Sequence, residues 1–201
     1  MNKLYINRHI KIKNNSVFID GKKDFFNEEE NLLAFLKSTY KNYGIKYAKF
    51  FKMDALSKLG FLASELALID NNKDLLPEQT ALIFANSSSS LNTDFKYQKT
   101  INDVPSPSVF VYTLPNIVIG EICIRNMFRG ETMFFVQDNF DAKFMCNYTK
   151  NIFENTDTKQ TLLAWIEVSE NNEYHVDMYL VSEDKSEIEL NEINIKNKFE
   201  L

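Results

Sequence analysis

Residues 50–69 constrain this chain more than any other stretch. Their polar members Asp54, Ser57, Lys58, Ser64 and Glu65 recur at three- to four-residue spacing along one narrow stripe, and the rest is dominated by Met, Ala, Leu, Phe and Ile. A surface helix needs only one apolar face, so a helix this apolar has to lie between layers. A second segment makes the same demand. Pro115-Asn116 is a helix start and Gly130 a stop, and between them Ile117, Val118, Ile119, Ile122, Cys123, Ile124, Met127 and Phe128 occupy nearly the whole circumference. This helix is also expected in the interior, with Gly120, which costs roughly 1 kcal/mol in mid-helix, set where a neighbouring backbone comes close.

Strand patterns alternate with these helices. Leu4-Tyr-Ile and Ser16–Ile19 are short apolar runs, the second ending in the turn dipeptide Asp20-Gly21. Asn27 followed by Glu30 is an N-cap pattern for a helix through Leu32, Leu33, Phe35, Leu36 and Tyr40 that closes at Asn42-Tyr43-Gly44. Ala81–Phe84 and Met133–Val136 read as strands, and Thr161–Val168 and Tyr174–Val181 as a final pair joined through Asn171-Asn172. His175, Asp177 and Tyr179 alternate with Val176, Met178 and Leu180, the signature of a strand with one wetter face. Over 140–153, Phe140, Phe144, Tyr148 and Ile152 recur every fourth residue while Asp141, Lys143, Asn147, Lys150 and Asn151 line much of the rest. Burying those charges unpaired would cost several kcal/mol, so one face of this helix is expected to meet water or a polar partner. The order predicts an α/β fold, a layered mixed sheet flanked by helices.

At 201 residues and 44% hydrophobic, the chain is read as one domain, 1–201, with about 183–201 as a charged C-terminal extension forming an edge element or a partly ordered tail. A net charge of −5 opposes attraction to phosphate backbones, and no nucleic-acid-binding signature is visible. There is no apolar leader and no run near the ~20 residues a bilayer span needs, which implies a cytoplasmic protein without a membrane span. Cys123 and Cys146 lack metal-ligand or CxxC spacing and read as small buried hydrophobes, Cys146 the better exposed of the two. His9 and His175 read as structural. No metal or cofactor is implied. The four serines of Asn86-Ser-Ser-Ser-Ser90 could present hydroxyls to an anion, although a solvated loop or helix cap is the simpler reading.

Several blocks in order resemble the N-terminal half of a β-ketoacyl synthase, the thiolase-like fold also found in chain-length factors. They are Lys49-Phe-Phe-Lys-Met53-Asp-Ala-Leu-Ser-Lys-Leu-Gly60, Thr80–Ala85, and the segment from Pro105 through Leu114-Pro-Asn116 and Gly120-Glu-Ile to Arg125, Arg129 and Gly130. In that family the last block leads into an elbow that carries the nucleophilic cysteine. Counting forward from Gly130 through Met133-Phe-Phe-Val136, the place falls near Asn139, and an amide cannot form a thioester. The C-terminal half that supplies the family's catalytic histidines is missing too. The chain departs from the family's pattern in two further ways: it has only 5 glycines, and its first strand lacks the family's glycine-rich ending.

The resemblance implies a non-catalytic, synthase-like accessory protein in bacterial fatty-acid, aryl-polyene or pigment-type polyketide synthesis. Its partner would be a condensing-enzyme subunit or a second copy of itself, giving a dimer, with acyl carrier protein as a further partner. Family dimers pair edge to edge around the strand before the cysteine, here Met133, Phe134, Phe135 and Val136. A basic cluster with Lys49 and Lys52, and Arg125 and Arg129 four apart on one helical face, is the candidate carrier-protein docking patch, against the plainer reading of local ion pairs. The competing class is a diverged acyltransferase or thioesterase using Cys146 or an unrecognised serine. Asp138 and Asp141 are more simply helix-capping groups than a catalytic pair. No residue is assigned as catalytic.

Overall fold

The computed structural model describes residues 2–28, 31–71 and 74–200. Strands β1 (Tyr5–Lys13), β2 (Ser16–Ile19) and β3 (Lys22–Phe26) form an antiparallel meander. Asp20 and Gly21, at φ 51° and 81°, make its tight turn, as the dipeptide demands. Helix α1 (Leu32–Asn42) follows, and its N-cap is Asn31 rather than Asn27: the Asn31 carboxamide oxygen accepts from Leu33 N and Ala34 N at 2.9 and 3.3 Å. Asn27 instead ends the β3 strand, its N–H donating to Asn15 O, and Glu30 lies outside the described residues. Gly44, at φ 62°, closes the helix.

A short 3₁₀ turn at 48–52 separates α1 from α2 (Ala55–Ala67), so Asp54 is the N-cap of this helix and not part of its polar stripe. The rest of the expectation holds. Even Ser57 and Ser64 are buried along α2, which lies across the middle of the sheet. Strand β4 (Thr80–Asn86), helices α3 (Leu91–Ile101), α4 (Pro107–Phe110) and α5 (Ile117–Asn126), and strand β5 (Thr132–Val136) come next. Helix α6 (Ala142–Asn155) leads to β6 (Gln160–Val168) and β7 (Tyr174–Ser182), then β8 (Ile188–Glu189) and α7 (Glu192–Glu200).

The sheet runs β3-β2-β1-β7-β6-β4-β5, with β8 pairing the start of β1. β4 is parallel to both β5 and β6, and the remaining pairs are antiparallel, which makes the sheet mixed as predicted. Side chains alternate across it into two cores. Leu82, Phe84, Leu162, Ala164, Ile166 and Met178 face α1, α2 and α5, whereas Ile83, Leu163, Trp165, Tyr179 and Val181 face α6 and α7. A register shift between Ile6 and Arg8 turns Ile6 to the α6–α7 side while Arg8 reaches the other way, its guanidinium donating to Leu66 O and Ile69 O at the end of α2. The tail from 183 to 200 is not loose: Leu190 and Ile195 are fully buried, and Phe199 stacks on Phe140 at 4.3 Å. Trp165 meets both rings edge-on, at 5.9 and 6.4 Å.

Two packing expectations need correction. A Cβ on Gly120 would meet nothing within 4 Å, so that glycine is not a point of close approach. The close approaches are at Gly60, where a Cβ would sit 2.5 Å from Val118 Cγ2, and at Gly130, 2.3 Å from Thr80 O and 2.6 Å from Glu78 O. Nor is α5 interior all round. Val118, Ile119, Glu121 and Ile122 are buried, but Ile124 is 62% exposed, and its C-cap Met127, in the left-handed region at φ 58°, is 73% exposed. A helix lying against α2 on one side only leaves the far side of its apolar circumference uncovered.

Candidate functional site

β5 is the outermost strand of the sheet, bonded on one side to β4 and on the other to nothing among the described residues. Its position is fixed tightly. Leu82 N donates to Glu131 O at 2.9 Å, Arg129 N to Pro77 O at 2.8 Å, and Gly130 lets the backbone pass directly over Thr80. Of the four residues singled out on it, Met133 and Val136 are exposed, while Phe134 joins the α5 core and Phe135 packs against Phe144 and Tyr148. Met133 and Val136, on opposite faces of β5, and Ile124 and Met127 at the end of α5 are the exposed apolar residues near this edge. A groove of about 590 Å³ between α5 and β5, lined by Ile117, Gly120, Cys123, Met133 and Phe134, runs beside it.

Asn139 stands exposed in the loop after β5, just before Asp141 caps α6 by accepting from Phe144 N at 2.8 Å. The capping role expected for Asp141 is what the structure has. α6 turns its charged residues outward, as its pattern requires, and buries Met145, Cys146, Thr149 and Ile152; the Phe140, Phe144 and Tyr148 stripe lies on the margin, half-buried. Cys146 is only 2% exposed, which reverses the expectation that it is the more accessible thiol, and burial pushes its pKa up to about 11. Cys123, half-exposed, is also raised by burial. No thiol here is positioned as a nucleophile.

The basic residues are mostly spoken for. Lys49 pairs with the buried Glu121 at 2.8 Å, which also accepts from Tyr112 at 2.9 Å. Arg125 makes a two-pronged bond to Glu65, 3.0 Å on each arm, and lies over the Tyr47 ring. Arg129 is 4.0 Å from Glu78. Lys52 stands exposed. The serine loop also has an internal anion: Glu167 accepts from Ser87 N, Ser87 Oγ and Ser88 N at 2.7, 2.7 and 3.2 Å.

One constellation escaped the sequence entirely. Both histidines of the chain converge on a single carboxylate, that of Asp177, which is fully buried. His9 Nε2 lies 2.5 Å from Asp177 Oδ1, Lys11 Nζ 3.5 Å from the same oxygen, and His175 Nε2 touches Oδ2. Adjacent registers on β1 and β7 bring them together, and the His9 ring stacks on Tyr179. What reads as the wetter face of β7 is a polar seam sealed by α7, with Lys11 donating to Phe199 O at 2.9 Å. Burial pulls the Lys11 pKa down, against the opposing pull of Asp177. The alternation was legible; the roof over it, α7, was not.

The fold is that of the ketosynthase and chain-length-factor proteins. Among solved structures, the ishigamide ketosynthase/chain length factor superimposes with a TM-score of 0.61 at 13% identity over 92% of this chain and 64% of that one. A ketosynthase (ApeO) in complex with its chain length factor (ApeC) from Xenorhabdus doucetiae gives 0.59 at 10% identity, over 90% and 79%. A type II polyketide synthase acyl-carrier protein in complex with its ketosynthase (AntDE:AntF) gives 0.62 at 14% identity, over 92% and 64%. The chain thus spans a little under two thirds of the length of two of these three. No protein-family model matches it, and no curated protein does. No helix among the described residues is long and apolar enough to cross a membrane.

Proposed function

We propose that this protein is a non-catalytic ketosynthase-like accessory subunit that works in the cytoplasm by associating with a condensing enzyme of the same fold. The observation that carries this reading is the β5 border, an open strand edge flanked by the exposed apolar residues Ile124, Met127, Met133 and Val136. An open edge beside an apolar surface is costly unless another chain covers it. A subunit presenting its own edge strand would continue the sheet and bury the flank of α5. The named complexes of ketosynthase with chain length factor supply the model for such a partner. Aryl-polyene, pigment-type polyketide or fatty-acid synthesis is the setting this implies.

Acyl carrier protein is a second partner on this reading, met through Lys49, Lys52, Arg125 and Arg129. Three of these already answer a carboxylate of the chain itself, so the patch offers less charge than its sequence spacing indicates. Reversal of Lys49 and Lys52 to glutamate is expected to weaken carrier binding; unchanged binding removes the carrier from the proposal.

The test of the main reading pairs light scattering with intact-mass spectrometry. Mixed with a condensing-enzyme subunit, the wild-type chain is expected to form a 1:1 complex that Met133→Glu/Val136→Glu abolishes, and to gain no mass from acyl carrier protein or acyl-CoA. A covalent acyl adduct would overturn it, as would a complex indifferent to the double substitution. A stable homodimer through the same strand would replace the partner by a second copy.

A further inference from the structure

A pocket of about 260 Å³ lies away from the β5 border, between the start of α2 and helices α3 and α4. Lys52, Lys58 and Lys96 all line it, against a single carboxylate, Asp54. That carboxylate is committed to the backbone and to α3: its Oδ1 accepts from Ser57 N at 2.8 Å and its Oδ2 from Thr93 Oγ1 at 2.6 Å. The acceptors that Lys58 and Lys96 use are neutral. Lys58 donates to Met53 O and lies 5.8 Å over the Phe50 ring, and Lys96 donates to Asn92 Oδ1 at 2.5 Å.

Lys58 and Lys96 therefore face one committed carboxylate in a partly desolvated space, with the exposed Lys52 also in the lining. Burial lowers the pKa of Lys58 and of Lys96; Asp54 pulls both back up, and Lys96 pushes Lys58 further down. An arriving anion would offset the repulsion between the ammonium groups and favour their charged form. Leu33, Met53, Ala55 and Val109 supply the apolar part of the lining, and Thr93, Ser108 and Tyr112 add hydroxyl groups. Pockets for drug-sized ligands run to roughly 300–1,000 Å³, and this one admits only something smaller.

We propose that this pocket binds a small amphiphile with an anionic head and a short apolar body, the head between Lys58 and Lys96 and the body against Leu33, Met53 and Val109. A medium-chain carboxylate is the simplest member of that class. Free phosphate satisfies the head alone and an alcohol of the same length the body alone. The site is independent of partner binding at β5 and stands or falls separately.

The full chain would be titrated with hexanoate, inorganic phosphate and hexan-1-ol by calorimetry. In parallel, wild-type lysines would be labelled with a limiting amine-acylating reagent at pH 8, with and without hexanoate, and mapped by peptide mass. Hexanoate is expected to saturate at one site and to bind at least about 10-fold more tightly than either control. It should also protect Lys58 and Lys96 from labelling while leaving Lys22 and Lys41 unaffected. Lys58→Met/Lys96→Met, which keeps the aliphatic stems, should lose hexanoate binding with an unchanged circular-dichroism spectrum. Failure of hexanoate to saturate, or labelling of both lysines that hexanoate leaves unaltered, overturns the site. Phosphate binding as tightly as hexanoate overturns the apolar part of the assignment. The protection experiment uses wild-type protein, so misfolding of the double variant leaves the test intact.

Discussion

The β5 edge of this sheet and its middle, at β1 and β7, are built to opposite rules. At β5 the strand edge is open, and the neighbouring helix shows isoleucine and methionine to the outside. Around β1 and β7, His9, Lys11 and Asp177 are buried under a helix, with the half-buried His175 beside them. A protein selected only for stability would do the reverse. Buried ion clusters are seldom more stabilising than a well-packed apolar core, and exposed apolar edges invite association. The inverted arrangement at β5 makes sense if another chain completes it. The one at β7 makes sense as a device that fixes a unique register between β1, β7 and α7.

Perturbations at the two places should therefore read out differently. The largest effect is expected at the polar seam: Asp177→Ala strips His9, His175 and Lys11 of their shared carboxylate and should cost about 3–5 kcal/mol in urea unfolding. A loss below about 1 kcal/mol would mean that the cluster is hydrated and contributes nothing to register. Next comes the anchoring of the open edge. Gly130→Ala puts a methyl group against two backbone carbonyls that cannot rotate away, and about 1–3 kcal/mol of destabilisation is expected, visible as a lower urea midpoint. Gly120→Ala, with open space at the Cβ, should instead be neutral or gain up to about 1 kcal/mol of helix propensity.

Smaller still is the Arg125–Glu65 pair, partly exposed on both sides. Arg125→Met should lower stability by about 1 kcal/mol or less, and the loss should shrink at high salt. The thiols separate the two faces by rate rather than stability. With its pKa raised to about 11, Cys146 carries about one thiolate per thousand molecules at pH 8, so a disulfide-exchange reagent should titrate only Cys123 in the folded protein. Reaction of both at similar rates would show that α6 does not stay closed over the sheet.

Where the sequence was informative, one local pattern decided the outcome. The near-continuous apolar helix had to be buried and is; Asp20-Gly21 had to turn and does; the strand before Asn139 lies in the expected place. The failures were all failures of context. Asn27 and Asn31 are equally good caps on paper, and only the pairing of β3 with β2 decides between them. Isoleucines around the whole of α5 look like an interior helix unless one knows that the sheet stops at β5. Alternation in β7 distinguishes two faces but not which is roofed, because the roof comes from Leu190, Ile195 and Phe199 in a segment too charged to look structural. The Asp177 cluster depends on a register between β1 and β7, some 170 residues apart, which no local pattern encodes.

The contact of Phe199 and Phe140 with Trp165 has a practical side. Since Trp165 is the chain's one tryptophan, its fluorescence emission comes from a single known environment beneath the C-terminal helix. Undocking of that helix would admit water to the indole edge and move the emission to longer wavelength, while the strand edge at β5, on the far side of β4, would leave the signal untouched. The molecule thus carries its own optical probe for the docking of α7, and events at the β5 edge have to be followed by mass.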